Sequence, residues 1–143
     1  MSKHIFFIAV LLYSMQLFSQ TKDVVGTWTT VDDNTGEHKA TVEIYKRDNK
    51  VYGKVIQITR ESARNNVCDL CEGEDKDKPV IGMEFIKNLS FKNGKYEGGT
   101  ITDPGNGKSY RSKIWLEPDN PDRLNLRGYL LFFYRTQQWI RVK

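Results

Sequence analysis

Few residues in this chain could carry chemistry, and their spacing limits what kind. Beyond the extreme N-terminus there is one histidine, His38, in the polar run Asn34-Thr35-Gly36-Glu37-His38. Nucleophilic catalysis needs a histidine held against a serine or cysteine and oriented by a third group. A lone histidine among turn residues is ordinarily a solvated surface group, so a histidine-based enzyme is not expected. The two cysteines stand in the run Cys68-Asp69-Leu70-Cys71. A redox pair would want a helix N-terminus to lower one thiol's pKa. Here Asp69, Glu72 and Glu74 crowd the pair, and their charge disfavours a thiolate. A zinc site would need two further ligands, and no second Cys or His pair exists. The acids Asp69, Glu72, Glu74, Asp75 and Asp77 could suggest calcium, but their spacing is not that of an EF-hand. Lys76 and Lys78 interleave with them, so a solvated loop is expected. Asp103-Pro104-Gly105-Asn106-Gly107-Lys108 contains glycines but lies between strand-like runs with no helix to follow, which makes it a turn rather than a phosphate loop. Carboxylate-pair catalysis has no support beyond the presence of acids. No metal, no cofactor and no enzymatic activity are expected.

The compartment is read from the other end of the chain. Lys3 precedes the apolar run Ile5-Phe6-Phe7-Ile8-Ala9-Val10-Leu11-Leu12-Tyr13, and Ser19 precedes the polar Gln20-Thr21-Lys22-Asp23. A basic tip, a short apolar core and a small residue before a polar start is the layout of an export signal. A membrane-spanning helix needs about 20 apolar residues, more than this run supplies. No cysteine lies near its end to carry a lipid. Residues 1–19 therefore read as a cleavable signal peptide, leaving one domain over 20–143, exported to the periplasm or secreted. An oxidising compartment favours a Cys68–Cys71 disulfide over free thiols. So short a loop restrains the unfolded chain by only about 2 kcal/mol, so the bond is expected to shape the acidic excursion and to be dispensable for the core. The whole chain has 22 Lys and Arg against 18 Asp and Glu; without Lys3 the balance is 21 to 18. That is too even for a nucleic-acid partner, which requires a concentrated basic face.

The elements that must position these residues are strands. Val24–Thr30 is rich in branched and aromatic residues, and Val42 and Ile44 share one face of the next run. Asp48-Asn49-Lys50 turns the chain into 51–59, and Asn93-Gly94 is a strong hairpin signal. Arg60 to Pro79 breaks the rhythm as an excursion at one end of the sheet, and Val80–Leu89 fits either a strand or a short helix. Tyr110, Ser112, Ile114 and Leu116 then alternate with Arg111, Lys113 and Trp115; Pro118–Asp122 turns the chain, Leu124 and Leu126 resume the alternation, and aromatics close it. Roughly seven to nine short strands with frequent turns predict an all-β sandwich or barrel. An up-and-down meander that closes on itself leaves no exposed edges, which favours the antiparallel barrel.

These residues also carry a resemblance. Cys68-x-x-Cys71-x-Gly73, Pro79-x-x-Gly82, Gly98-Gly99-x-Ile101-x-Asp103-Pro104-x-x-Gly107-Lys108-x-Tyr110, Leu124-x-Leu126-Arg127-Gly128-Tyr129 and Arg135-Thr136-Gln137-x-Trp139-x-Arg141 resemble a family of small exported bacterial proteins. That family is known only as domain of unknown function 2147. The likeness covers roughly Val24 to Val142 and implies a compact, lipocalin-like (calycin-type) β-barrel with no established activity. Where the family tends to carry a small residue in its penultimate stretch, this chain has Leu131-Phe132-Phe133-Tyr134. The early Gly26-x-Trp28 is similar to the first-strand motif of lipocalins, in which the tryptophan plugs the closed end of the barrel. On that likeness a late arginine, Arg135 or Arg141, stacks on Trp28 and pins the first strand to the last. On the residues alone Trp28 is equally well a plain core aromatic.

Two functions remain open. One is a non-enzymatic barrel holding a small apolar or amphipathic ligand, since about eight strands leave room for side chains or for one small ligand. The other is an envelope interaction protein with a filled core that recognises a protein or cell-wall partner, through outward residues such as Arg111, Lys113, Trp115 and Tyr129. Free interior volume separates the two.

Overall fold

The computed structural model describes residues 22–143; the expected signal peptide lies outside the described residues. Eight strands follow one another: β1 (Gly26–Val31), β2 (His38–Arg47), β3 (Lys50–Ile58), β4 (Glu84–Lys92), β5 (Lys95–Thr102), β6 (Ser109–Glu117), β7 (Asn120–Leu130) and β8 (Phe133–Arg141). Each pairs antiparallel with its sequence neighbour, and β8 returns to β1 to close the barrel. The tight hairpins are set by chemistry that tolerates positive φ: Asp48 and Asn49 (51° and 62°) between β2 and β3, and Asn93 and Gly94 (52° and 80°) between β4 and β5. The ambiguous run before Leu89 resolves as strand only from Glu84 onward. The excursion between β3 and β4 contains two short 3₁₀ turns, Glu61–Ala63 and Gly73–Asp75.

A meander places alternate turns at opposite poles. The β2–β3, β4–β5 and β6–β7 turns lie at one end together with both ends of the described chain, where Lys22 and Lys143 approach Asp122 at 2.8 and 3.4 Å. The β1–β2 loop, the excursion, the β5–β6 turn and the β7–β8 turn surround the other end, the mouth. The seam closing the barrel is short: β1 and β8 are in register only at Trp28–Arg141 and Thr29–Ile140.

Alternation along the strands sends Trp28, Val42, Ile44, Leu89, Ile114, Leu124 and Trp139 inward, and all are fully or almost fully buried. The half of the barrel next to the paired termini is thus filled, and Phe85, from the mouth end of β4, covers it with its ring 6.1 Å from that of Trp139. Outward positions are charged and cross-paired, as in Lys54–Glu43 (3.6 Å) and Lys113–Glu97 (2.8 Å). A wall of that kind is not the apolar band of a membrane-spanning barrel.

Candidate functional site

At the closed pole the sequence offered two arginines, and the structure separates them. Arg141 lies over the Trp28 ring, 4.2 Å from its centroid. Its guanidinium donates to the carbonyls of Asp23 (2.8 Å), Pro121 (3.0 Å) and Val25 (3.3 Å), and sits 3.3 Å from Asp122. Trp28 itself donates its indole N–H to the Val24 carbonyl at 2.8 Å. Gly26 leaves space for this arrangement, since a Cβ there would stand 2.9 Å from Arg141 Nη1. Arg135 takes no part. It is six residues nearer the β7–β8 turn, which carries it to the mouth, where it pairs with Asp33 of the β1–β2 loop at 2.8 Å. Assigning Arg135 to the closed end is therefore corrected: one β8 arginine belongs to each pole. Beside Arg141, Asp23 accepts from Lys46 (2.6 Å) and Tyr96 (2.9 Å). Burial pushes its carboxyl up, but these donors and the Val24 amide outweigh burial and hold it below the ordinary aspartate value.

The cysteines also depart from expectation. Cys68 and Cys71 are bonded to each other, with Cα atoms 5.3 Å apart. Rather than hanging in a solvated loop, both side chains are buried and join the main apolar cluster, with Val80 packed against it. The polar residues around them dominate the composition, but the excursion folds back onto the rim of β5 and β6, placing Cys68 Sγ 3.6 Å from the Pro104 carbonyl oxygen. The family motif supplies the surface it lands on. Asp103 organises the β5–β6 turn, its side chain accepting from the Gly105 amide and its carbonyl from the Gly107 amide, each at 2.8 Å. Gly107 has φ 71°, and a Cβ on it would lie 2.0 Å from the Leu70 carbonyl oxygen, so only glycine lets the disulfide loop seat here. Asn106 donates to the Tyr110 hydroxyl at 3.0 Å, and Lys108 stands exposed beside it. Pro79 bridges to Val67, and the Gly82 amide donates to the Val55 carbonyl at 2.7 Å. Gly98 and Gly99 form a bulge that brings β5 against the backbone of β4. These motif residues build the rim. Together the disulfide loop, the turn and Leu130 border a groove of about 340 Å³ that also reaches Glu72, Asp75, Thr102 and Tyr110. Burial raises the Asp75 carboxyl, and Lys87 at 2.6 Å with Lys78 reverses this and holds it below its usual value.

Inside the mouth the barrel changes character. Inward positions become small, with Ala40, Ser112 and Gly128, and several inward residues (Thr30, Ala40, Ile101, Tyr110, Gly128, Gln137) keep partial exposure. The interior is thus filled at its floor, and these partly exposed side chains line a shallow cup at the mouth. Three buried side-chain atoms have no hydrogen-bond partner among the described residues: Ser112 Oγ near the mouth, Trp139 Nε1 where the floor begins, and Arg141 Nε at the closed pole, which has Asp122 3.3 Å away as its ion-pair partner. Sequence reasoning did not single out Ser112; its alternation placed it inward, but nothing in its neighbours signals an orphaned hydroxyl. His38 is exposed at the start of β2, beside Lys39, Thr59 and Arg60.

On the outer face of β6, β7 and β8 aromatic and cationic side chains interleave. The Arg127 guanidinium lies 4.2 Å from the Tyr134 ring and 5.1 Å from Trp115, Lys95 covers Trp115 at 4.3 Å, and Arg111 lies 5.9 Å from Tyr129. Beyond them the β7–β8 turn presents Leu130 to Tyr134 to solvent. The run that departs from the family's pattern therefore does not fill the interior.

The profile of the family described as "Uncharacterized protein conserved in bacteria (DUF2147)" matches residues 26–141. No curated protein matches the chain. Among solved structures, "Protein HP1028 from the human pathogen Helicobacter pylori belongs to the lipocalin family" superposes with a TM-score of 0.72, covering 86% of this chain and 85% of that one at 19% identity. At that identity the likeness is one of fold. Closed eight-stranded topology and a profile spanning every strand lead to one statement of kinship: this chain belongs to the DUF2147 family and has a lipocalin-like barrel.

Proposed function

We propose that this protein is an exported, non-enzymatic binding module that takes a small amphipathic ligand in the cup at its mouth. The observation that carries the reading is the buried, unpartnered Ser112 Oγ, which faces inward at the level of Gly128 near the mouth, with the unpartnered Trp139 Nε1 deeper, where the floor begins. A buried polar group without a partner costs about 1–3 kcal/mol, which a ligand atom accepting a hydrogen bond would recover. The indole N–H can only donate, so the buried end of the ligand must carry an acceptor such as a carbonyl or carboxyl oxygen. Ala40 and Ile101 suit an apolar body, and Arg135 and Lys108 at the rim suit a polar or anionic outer end. Fold alone does not assign a ligand. The filled floor limits the ligand to the upper half of the barrel.

Binding of a fluorescent fatty-acid analogue to residues 20–143 tests this, with Gly128→Leu as the blocking variant. A Cβ at Gly128 meets Tyr110 and Ile101 only at ordinary contact, 3.8 and 3.9 Å, so a longer side chain enters the cup. The variant should keep a cooperative fold and lose at least about tenfold in affinity, the equivalent of about 1.4 kcal/mol. Absence of binding by the unaltered protein, or equal binding by the folded variant, would refute the reading. The packed floor and the outward Trp115, Tyr129 and Arg111 support a second reading, recognition of an envelope partner by the outer face; Gly128→Leu would leave that recognition intact.

A further inference from the structure

We infer that the β7–β8 turn is a membrane-surface anchor that docks the mouth end of the barrel onto a bilayer bearing anionic headgroups. Leu131, Phe132 and Phe133 are 88%, 96% and 76% exposed, between the half-exposed Leu130 and Tyr134. Five consecutive apolar or aromatic residues at a projecting hairpin tip are unusual for a surface that meets only water. The tip is convex, so a fluid bilayer can receive it without a matching groove.

The side chains behind the tip are graded as a bilayer interface is graded. Tyr129 and Tyr134 face each other one register pair behind Leu130 and Phe133, with their rings 6.1 Å apart. Tyrosine and tryptophan favour the headgroup level. Arg127 lies three residues from Leu130, about 10 Å along the strand at about 3.3 Å per residue. A segment lying in the interface buries its apolar part by about 5–10 Å, which would put Arg127 at the phosphates. Arg111 and Arg127 pair with no carboxylate among the described residues; each is held instead against aromatic rings, leaving its charge free for an anionic headgroup. Of the carboxylates at this end, Asp33 is engaged by Arg135 and Asp75 by Lys87 and Lys78. Glu72, across the groove from Leu130, carries no ion pair among the described residues. The anionic surface must therefore meet the Arg111 and Arg127 side of the tip. Docking of this kind needs no ligand in the mouth.

The experiment is co-sedimentation of residues 20–143, which contain the whole closed barrel and omit the apolar N-terminal run, with vesicles of phosphatidylcholine alone or mixed with phosphatidylglycerol. Binding should favour the anionic vesicles, weaken with salt, and fall at least tenfold in Leu131→Ser/Phe132→Ser. Arg111→Gln and Arg127→Gln should each weaken it about fivefold, as expected for one cation near an anionic surface. Thermal unfolding checks that the variants fold, and Phe132→Trp should show blue-shifted emission on vesicles as a separate readout. The anchor is excluded if the protein ignores anionic vesicles or if the tip double variant binds as well as the parent. It is also excluded if sedimentation equilibrium without vesicles shows a dimer that the tip variant abolishes, because the tip would then be covered by a second copy.

Discussion

Arg141→Ala should cost about 4 kcal/mol of stability. The closing seam contributes only two register pairs, Trp28–Arg141 and Thr29–Ile140, so its strength must come from side chains. Arg141 supplies them. Its two shorter bonds, to the Asp23 and Pro121 carbonyls at 2.8 and 3.0 Å, are charge-assisted and worth about 1.5 kcal/mol each. Stacking on Trp28 at 4.2 Å adds about 1 kcal/mol for a largely desolvated pair. The longer bond to Val25 and the pairing with Asp122 add little by comparison. Arg141→Lys keeps the charge but not the planar fork that reaches several carbonyls at once, so it should recover less than half of the loss. Equilibrium urea unfolding followed by tryptophan fluorescence measures both, and hydrogen exchange should show β1 amides losing protection first. A loss under about 1 kcal/mol, the size of an ordinary surface change, would refute the pinning role of this arginine.

Other outcomes are equally specific. Trp28→Ala should cost about 3–5 kcal/mol by the same assay, as for removal of any large enclosed aromatic, and a loss under 1 kcal/mol would make Trp28 peripheral. Gly107→Ala should destabilise more than Gly36→Ala, by at least about 1 kcal/mol: both residues have positive φ, but nothing lies within 4 Å of a Cβ at Gly36. Equal losses would mean that the disulfide loop does not need Gly107. Replacing Cys68 and Cys71 together by serine should cost more than the about 2 kcal/mol of the short loop, because two hydroxyls would be buried among apolar groups. A loss below that figure would return the pair to a dispensable role. The Tyr45 phenol is pushed up to about 12, first by burial and then by its hydrogen bond to the Glu84 carboxylate. A raised folded value means that this contribution to stability is whole below pH 10.0 and is lost as pH climbs toward 12. An ultraviolet phenolate titration should show one late step that Tyr45→Phe removes.

The barrel was legible because its signals are local. Period-two alternation, Asn93-Gly94 and the polar Asp48-Asn49 each determine their own hairpin, and an ordered run of hairpins leaves little choice of topology. What depended on distant contacts was not. Arg135 and Arg141 lie in one strand with similar surroundings, and only the pole each reaches tells them apart. Cys68 and Cys71 sit among acids, so composition placed them in solvent, whereas the nearby rim of β5 and β6 buries them. Ser112 looks like any other small inward residue; its lack of a partner is a property of the whole barrel interior. The apolar β7–β8 turn shows in the sequence as a departure from a pattern, but only the barrel's closure reveals that it projects outward.

Both described ends of the chain meet at Asp122, on the pole opposite the mouth. That makes the molecule a ring of hairpins cut at one place, and the cut is far from the cup and the apolar turn. A short linker from Lys143 to Lys22 would close the ring, and new termini could then be opened at the Asp48-Asn49 or Asn93-Gly94 turns of the same pole without touching the mouth. Any domain fused to either end would likewise hang from the far side, leaving the mouth and its apolar turn free.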